Sequence, residues 1–211
     1  MRFSRSFYHY FLAWLGNKIY REPSGKLFVV GVTGTKGKST VMELINAILE
    51  AAGRKTAIIS SVRFKNDLLS LRNLTGMTMP GRFFIQRFLA EAANNGCQYA
   101  IVEVTSQGVL QHRHRFIDFD AAIFTNLEPE HIEAHGSYEN YRDSKVKFFR
   151  DVADYSGKNQ KSFFINADAR DKDYFIKAVE GKGKLILYQK EDVRKFKIKT
   201  KNSHEKNQEE K

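Results

Sequence analysis

Cysteine occurs once in this 211-residue chain, at Cys97. A disulfide framework is thereby excluded, and a reducing compartment suits the protein. Nowhere does an apolar run approach the roughly 20 residues that a bilayer crossing needs, and there are no internal repeats. Acidic residues are also in deficit: 24 Asp and Glu face 35 Lys and Arg, a net charge of +11. Such an excess suggests nucleic acid or an anionic membrane at first sight. Much of it lies at the two ends, however, and a phosphate-rich substrate explains a basic cleft equally well, so no nucleic-acid partner is expected. Hydrophobic residues at 42% and aromatics at 13% are globular values, enough for one sizeable core.

What the chain does have is concentrated between Leu27 and Ala52, LFVVGVTGTKGKSTVMELINAILEAA. A short apolar run, Leu27 to Val32, enters a glycine loop. Val41, Leu44, Ile45, Ile48 and Leu49 then recur at helical spacing, and Gly53 stops them. Strand, glycine loop and helix in that order form a phosphate cradle, because loop amides and the helix N-terminus converge on one spot. Lys38 can reach the β- and γ-phosphates, and the Ser39 hydroxyl can ligate Mg²⁺. The literal Walker pattern would put a glycine at Val32; here Gly34-Thr35-Lys36-Gly37-Lys38-Ser39 brings the first glycine closer in. An ordinary glycine turn is the plainer alternative, and the flanking strand and helix argue against it. The expected ligand is a nucleoside triphosphate. An Asn-Lys-x-Asp guanine reader is missing, which ranks a switch GTPase last.

The first 26 residues read as an amphipathic helix with Tyr8, Phe11, Leu12, Leu15 and Ile19 on one face and Arg2, Arg5, Lys18 and Arg21 around it. Two readings fit it: a helix lying on a membrane surface through residues 6–20, and a helix packed on the nucleotide domain. After the glycine loop, strands are expected at Thr56 to Ser60, Tyr99 to Val104, Ala121 to Thr125, Ser162 to Ile165 and Lys184 to Leu187. Helices are expected at Arg82 to Asn95, Tyr138 to Val152 and Asp171 to Val179. This alternation predicts an α/β fold, a parallel sheet with helices on both faces. Residues 61–80 lack clear periodicity and are expected to form a hairpin or loop over the site. The domain plan is a helix and linker over 1–26, a nucleotide-binding domain over 27–189, and a charged, solvated tail over 190–211, where Phe196 and Ile198 alternate with lysines like the start of a strand.

In parallel sheets the ligand sits beyond the carboxyl ends of the strands. Thr33, Glu103 and Thr125-Asn126 fall at three such ends. A Glu103 carboxylate close to Ser39 suits Mg²⁺, although a capping or salt-bridged glutamate is the plainer reading. His131 and His135 follow another strand; by spacing alone His131 is structural, and Lys145, beside Lys147, is a solvated lysine.

The segments GVTGTKGKST, EVTSQGVLQHR and FTNLEPEHIEAHGSYENYRDSKVKFF, in this order and at these separations, resemble the Mur ligase family over Leu27 to Tyr188. The resemblance is to its central ATPase domain, and most to members that add the third residue of the peptidoglycan stem. It implies that Thr33, Gly34, Thr35, Lys36, Gly37, Lys38 and Ser39 hold the ATP phosphates, with Asn166 and Asp168 near the adenine. It implies one Mg²⁺ on Ser39 and Glu103, a second on His131, and Lys145 as a carbamylated lysine. Such a lysine must be neutral before it takes up CO₂, which burial favours; as an anionic oxygen ligand it no longer repels the metals. Thr78, Met79, Thr105, Gln111 and Arg113 fall on contacts to UDP-N-acetylmuramoyl-dipeptide.

The implied activity is ATP-dependent amide formation through an acyl phosphate, in the cytoplasm or at the inner membrane face, with an amino acid as second substrate. Three positions depart from the family pattern: Lys36 replaces asparagine, Met79 replaces a threonine, and Gln107 replaces histidine. The family also has a domain gripping the uridine nucleotide before this region and one selecting the amino acid after it. A single helix and a charged tail stand there, so the chain is expected to need a separate polypeptide for turnover. The competing expectations are a non-catalytic nucleotide-binding remnant, associated with a membrane through its first helix, and a folylpolyglutamate synthetase-like ligase. Gln111-His112-Arg113 argues against the latter.

Overall fold

The structure, a computed structural model, describes residues 2–129 and 135–195, with side chains for 6–129 and 135–192. Helix α1 (Arg2–Ile19) and a 3-10 turn (Pro23–Lys26) lead into β1 (Phe28–Thr33), α2 (Lys38–Ala51), β2 (Thr56–Ile59), β3 (Arg63–Asn66) and β4 (Leu69–Arg72). There follow α3 (Arg82–Asn94), β5 (Tyr99–Glu103), α4 (Ser106–Leu110), β6 (Ala121–Phe124) and α5 (Tyr138–Tyr155). The last are β7 (Ser162–Asn166), α6 (Lys172–Val179), β8 (Lys184–Tyr188) and α7 (Lys190–Lys195).

One eight-stranded sheet runs in the order β4-β3-β2-β5-β1-β6-β7-β8. From β2 to β8 every neighbouring pair is parallel. The expected parallel sheet is thus present. The region expected as a hairpin or loop adds β3 and β4 antiparallel at one edge, making the sheet mixed.

The two faces are covered unequally. Val29 on one side of β1 joins a core built with Ile85, Phe88 and Leu89 of α3, Phe148 and Phe149 of α5, and Phe175 of α6. Val30 and Val32 face the other way, onto Met42, Val41, Ile45 and Leu49 of α2. On the crowded face Gly31 is required by space: an added Cβ would lie 2.5 Å from Phe148 Cζ and 2.9 Å from Phe119 Cε1. On the α2 face an apolar groove of about 440 Å³ stays open beside the helix, lined among others by Phe28, Ile45, Leu49, Ile123 and Phe164. Helices do lie on both faces, but unevenly.

Of the two readings of the first helix, packing on the domain is realised. Ala13 and Asn17 are buried. A Cβ on Gly16 would sit 3.6 Å from Gln86 Cγ of α3. The Tyr10 ring meets Phe116 at 5.0 Å. The expected solvated tail is also ordered at its start. Lys190–Lys195 is helical, because the Asp192 carboxylate accepts the Gln189 amide at 2.9 Å and Asp168 accepts the Lys190 amide at 2.9 Å. The expected strand start at Phe196 and Ile198 lies outside the described residues.

Candidate active site

The glycine loop joins β1 to α2 at the carboxyl end of the sheet, where the alternation of elements places it. Its shape is set by Thr125 and Asn126, which follow β6. The Thr35 amide donates to the Asn126 carbonyl at 2.9 Å. The Lys36 amide donates to Asn126 Oδ1 at 2.8 Å, and Asn126 Nδ2 returns a bond to the Lys36 carbonyl at 3.0 Å. Gly34 has φ of 147°, and any Cβ there would collide with Thr125 Oγ1. Gly37, at φ 77°, sits immediately before the first residue of α2 and turns the chain into it. The cradle anticipated from sequence exists, and two of its glycines are required by backbone geometry or space.

Lys38 donates to the Thr35 carbonyl at 2.8 Å and lies 3.7 Å from Glu103 Oε1. Glu103 ends β5, is 3% exposed, and accepts the Ser61 amide at 2.7 Å through Oε2. The Ser61 hydroxyl in turn meets Ser39 Oγ at 3.3 Å. Ser39 and Glu103 therefore converge on one residue. Hard oxygen donors, a hydroxyl and a carboxylate, are the set Mg²⁺ takes, together with phosphate oxygens. Among the described residues no cluster of three or more His, Cys, Asp or Glu could hold a metal. The donor set fits an ion held jointly with a nucleotide, and does not form a closed protein cage.

Lys145 departs furthest from the solvated lysine that spacing alone suggested. It is 2% exposed, and its Nζ donates to the Gly34 carbonyl at 2.7 Å. Tyr141, one turn earlier on α5, places its ring 4.7 Å from that Nζ. The Tyr141 hydroxyl lies 3.1 Å from Thr35 Oγ1. Helix α5 thus fastens to the glycine loop at two points.

Lys38, Ser61, Glu103, Tyr141 and Lys145 line one cavity of about 590 Å³ that also takes in Thr78, Met79, Thr105, Gln107, Arg113 and His135. Arg113 donates to Gln111 Oε1 at 2.7 Å and to the Met79 carbonyl. Burial pushes the Arg113 guanidinium down from its ordinary value, yet arginine keeps its charge in proteins. Lys38, Lys145 and Arg113 against Glu103 give a lining that favours a polyanion.

The remaining site expectations fall as follows. Thr33 is fully buried and its hydroxyl donates to the Val104 carbonyl at 2.8 Å, so its side chain ties β1 to β5 and does not face the cavity. Met79 is 1% exposed, with its sulfur packed where a Gly108 Cβ would stand, and its carbonyl accepts from Arg113. His131 lies outside the described residues. Asn166 ends β7 and Asp168 follows it; Asn166 Nδ2 donates to the Thr125 carbonyl at 2.7 Å and the Asp168 amide to Asn166 Oδ1 at 2.9 Å. The sequence reading missed Ser61 and Tyr141. Ser61 follows a strand end, and Tyr141 precedes Lys145 by one helical turn; both positions were open to a rule of position.

Comparison with known proteins decides the family. The Mur ligase middle domain matches residues 32–211. The chain belongs to the Mur ligase family. This Mur ligase chain is 38% identical over 191 residues to the UDP-N-acetylmuramyl-tripeptide synthetase of Borreliella afzelii, covering 82% of the chain and 38% of that relative. It is 33% identical over 193 residues to the UDP-N-acetylmuramoyl-L-alanyl-D-glutamate--2,6-diaminopimelate ligase of Parabacteroides distasonis, covering 92% of the chain and 38% of the relative. A solved structure of a ligase of the latter name superposes with TM-score 0.66 at 28% identity, over 77% of this chain and 32% of that one. A Mycobacterium tuberculosis folylpolyglutamate synthase complexed with ADP shares the fold at TM-score 0.61 and 14% identity, over 83% of this chain and 45% of that one. The Mur ligase chain thus spans about two fifths of its relatives' length. The family match also runs past the boundary expected at Tyr188, through the charged C-terminal segment.

Proposed function

We propose that this chain is the ATP-binding region of an amide-forming ligase acting on a UDP-N-acetylmuramoyl peptide. The observation that carries the proposal is the meeting of Lys38, Glu103 and Lys145 at one glycine loop, in the same cavity as Thr78, Thr105 and Arg113. Nucleotide phosphates would lie against the loop amides and Lys38, with Asn166 and Asp168 toward the base. Ser39 and Glu103 would hold Mg²⁺, with His131 proposed for a second ion; bound there, the ions neutralise phosphate charge. Arg113, held by Gln111 and the Met79 carbonyl, orients an anionic substrate whose carboxylate meets the γ-phosphate.

In the proposed reaction a carboxylate oxygen bonds to the γ-phosphorus and the bond to ADP breaks. An amine nitrogen then bonds to the acyl carbon, phosphate leaves, and the nitrogen gives up a proton. Water must be kept from the acyl phosphate meanwhile. Amide formation is proposed for this site completed by the regions that the longer relatives carry, in the same polypeptide or a separate one. The names of those relatives support a muramoyl-peptide substrate, and the identity of the added amino acid is left to those further regions.

Nucleotide binding is the direct test. Titration calorimetry should show MgATP binding in preference to MgGTP, and Lys38→Ala should weaken MgATP by about 1–3 kcal/mol, the order of a charge-assisted contact. Equal affinity of the wild type and the variant would end the assignment.

A further inference from the structure

Helix α1 is packed on one side and bare on the other. Gly16 faces α3, and Ala13 and Asn17 are buried. On the opposite side Phe7 is 71%, Phe11 44% and Trp14 40% exposed, with Tyr8 and Ile19 more than half exposed beside them. Phe11 and Trp14 stack at 5.7 Å in a tilted pair. Positions 7, 11 and 14 recur at helical spacing, so these rings form a stripe and are not scattered. Single exposed apolar residues are ordinary on a soluble surface; a continuous aromatic stripe is not.

The helix's own sequence carries charge of one sign. Residues 1–21 contain Arg2, Arg5, Lys18 and Arg21 and no acidic residue; Glu22, paired with Lys18, is the first. No helix among the described residues is long and apolar enough to cross a membrane. Bulky rings flanked by cations on a helix that cannot span are the pattern of a helix lying in the headgroup region, where rings reach the acyl boundary and cations meet anionic headgroups. An interface with protein would need no such uniform charge.

We infer that α1 docks this chain on an anionic phospholipid surface through Phe7, Phe11 and Trp14. The inference does not depend on the ligase reading. It has a structural consequence for the cavity: Ser6 Oγ lies 2.9 Å from His112 Nε2, and the Tyr10 ring 5.8 Å from the His112 ring. Docking therefore brings the turn that carries Gln111 and Arg113 close to the lipid surface.

Trp14 is the sole tryptophan, so its emission reports this helix alone. The full chain is mixed with phosphatidylglycerol or phosphatidylcholine vesicles, and emission and co-flotation are read. Phosphatidylglycerol should shift the emission to the blue and carry the protein with it, at least about tenfold more strongly than phosphatidylcholine, and high salt should weaken the effect. Phe11→Glu, at an exposed position, should lower the partition about tenfold with the thermal midpoint unchanged. Unshifted emission without co-flotation overturns the inference. So does undiminished binding by Phe11→Glu, which would place adhesion elsewhere on the basic surface. A blue shift that follows protein concentration without lipid, with a dimer in sedimentation, would assign the stripe to a second copy instead.

Discussion

Lys145 shows what a single residue owes to its surroundings. A lysine two positions from another lysine, on a helix with a polar face, would ordinarily extend into water. Here it is enclosed by Tyr141 and the glycine loop and donates to the Gly34 carbonyl. We propose that it carries the carbamate which the family resemblance implies, formed when neutral Nζ bonds to CO₂ and releases a proton. We expect protein equilibrated with ¹³C-bicarbonate to give a carbamate carbon resonance that Lys145→Ala lacks; identical spectra would remove the proposal. The same variant should lose about 1–3 kcal/mol in a urea titration, because a buried carbonyl loses its donor.

At the scale of elements, the β3–β4 hairpin is fixed by another buried cation. Lys65 is 5% exposed and donates to the Thr56 carbonyl at 3.1 Å and Thr56 Oγ1 at 2.8 Å, while pairing with Glu50 Oε1 of α2 at 2.9 Å. The hydrogen bond from Lys65 holds the Glu50 carboxyl below its ordinary value. This contact locks the sheet edge against the end of α2 and so steadies Ser61, which precedes the hairpin and meets Glu103. Lys65→Ala should destabilise the chain by about 1–3 kcal/mol, through unpaired buried acceptors. Glu50→Gln should cost less, about 0–1 kcal/mol, since that carboxylate is half exposed. Equal unfolding midpoints for wild type and Lys65→Ala would contradict this account. Residues 61–80 showed no periodicity because four-residue strands at an edge, one exposed along its whole length, have no buried face to impose alternation.

For the whole molecule, acid is the expected weakness. Burial, with the positive charges of His114 and Lys147 adding, pushes His112 from 6.5 down to about 4. Burial also pushes His114 down, against its bond to Asp151 at 2.7 Å. A histidine lowered in the folded state binds its proton more readily when unfolded. Its contribution is therefore complete above 6.5 and is lost as pH falls toward about 4. Burial raises the Asp151 carboxyl, but His114 and Lys147 outweigh it and hold it at about 2, so Asp151 stays ionised throughout that window. The net charge of +11 grows on acidification and adds self-repulsion. Thermal midpoints should fall from pH 7 to pH 4.5, and His112→Asn, whose side chain tolerates the φ of 56° there, should flatten the slope. A midpoint indifferent to pH over that range would refute the assignment.

The sequence by itself determined the local units. Apolar periodicity and glycine placement were enough for β1, the glycine loop and α2, because each depends on neighbours within a few residues. The three ordered segments were enough for the family. Only the tertiary structure decided which distant residues meet. Lys145 reaches Gly34 across 111 positions, and Asn126 shapes the loop across 90. Thr33, polar and at a strand end, is fully buried, and its hydroxyl donates to the Val104 carbonyl just past β5. The first helix left two readings open, since amphipathicity shows that a face is apolar without showing which surface covers it. Packing against α3 took Gly16, which permits close approach, Ala13 was buried, and the aromatic side was left outward.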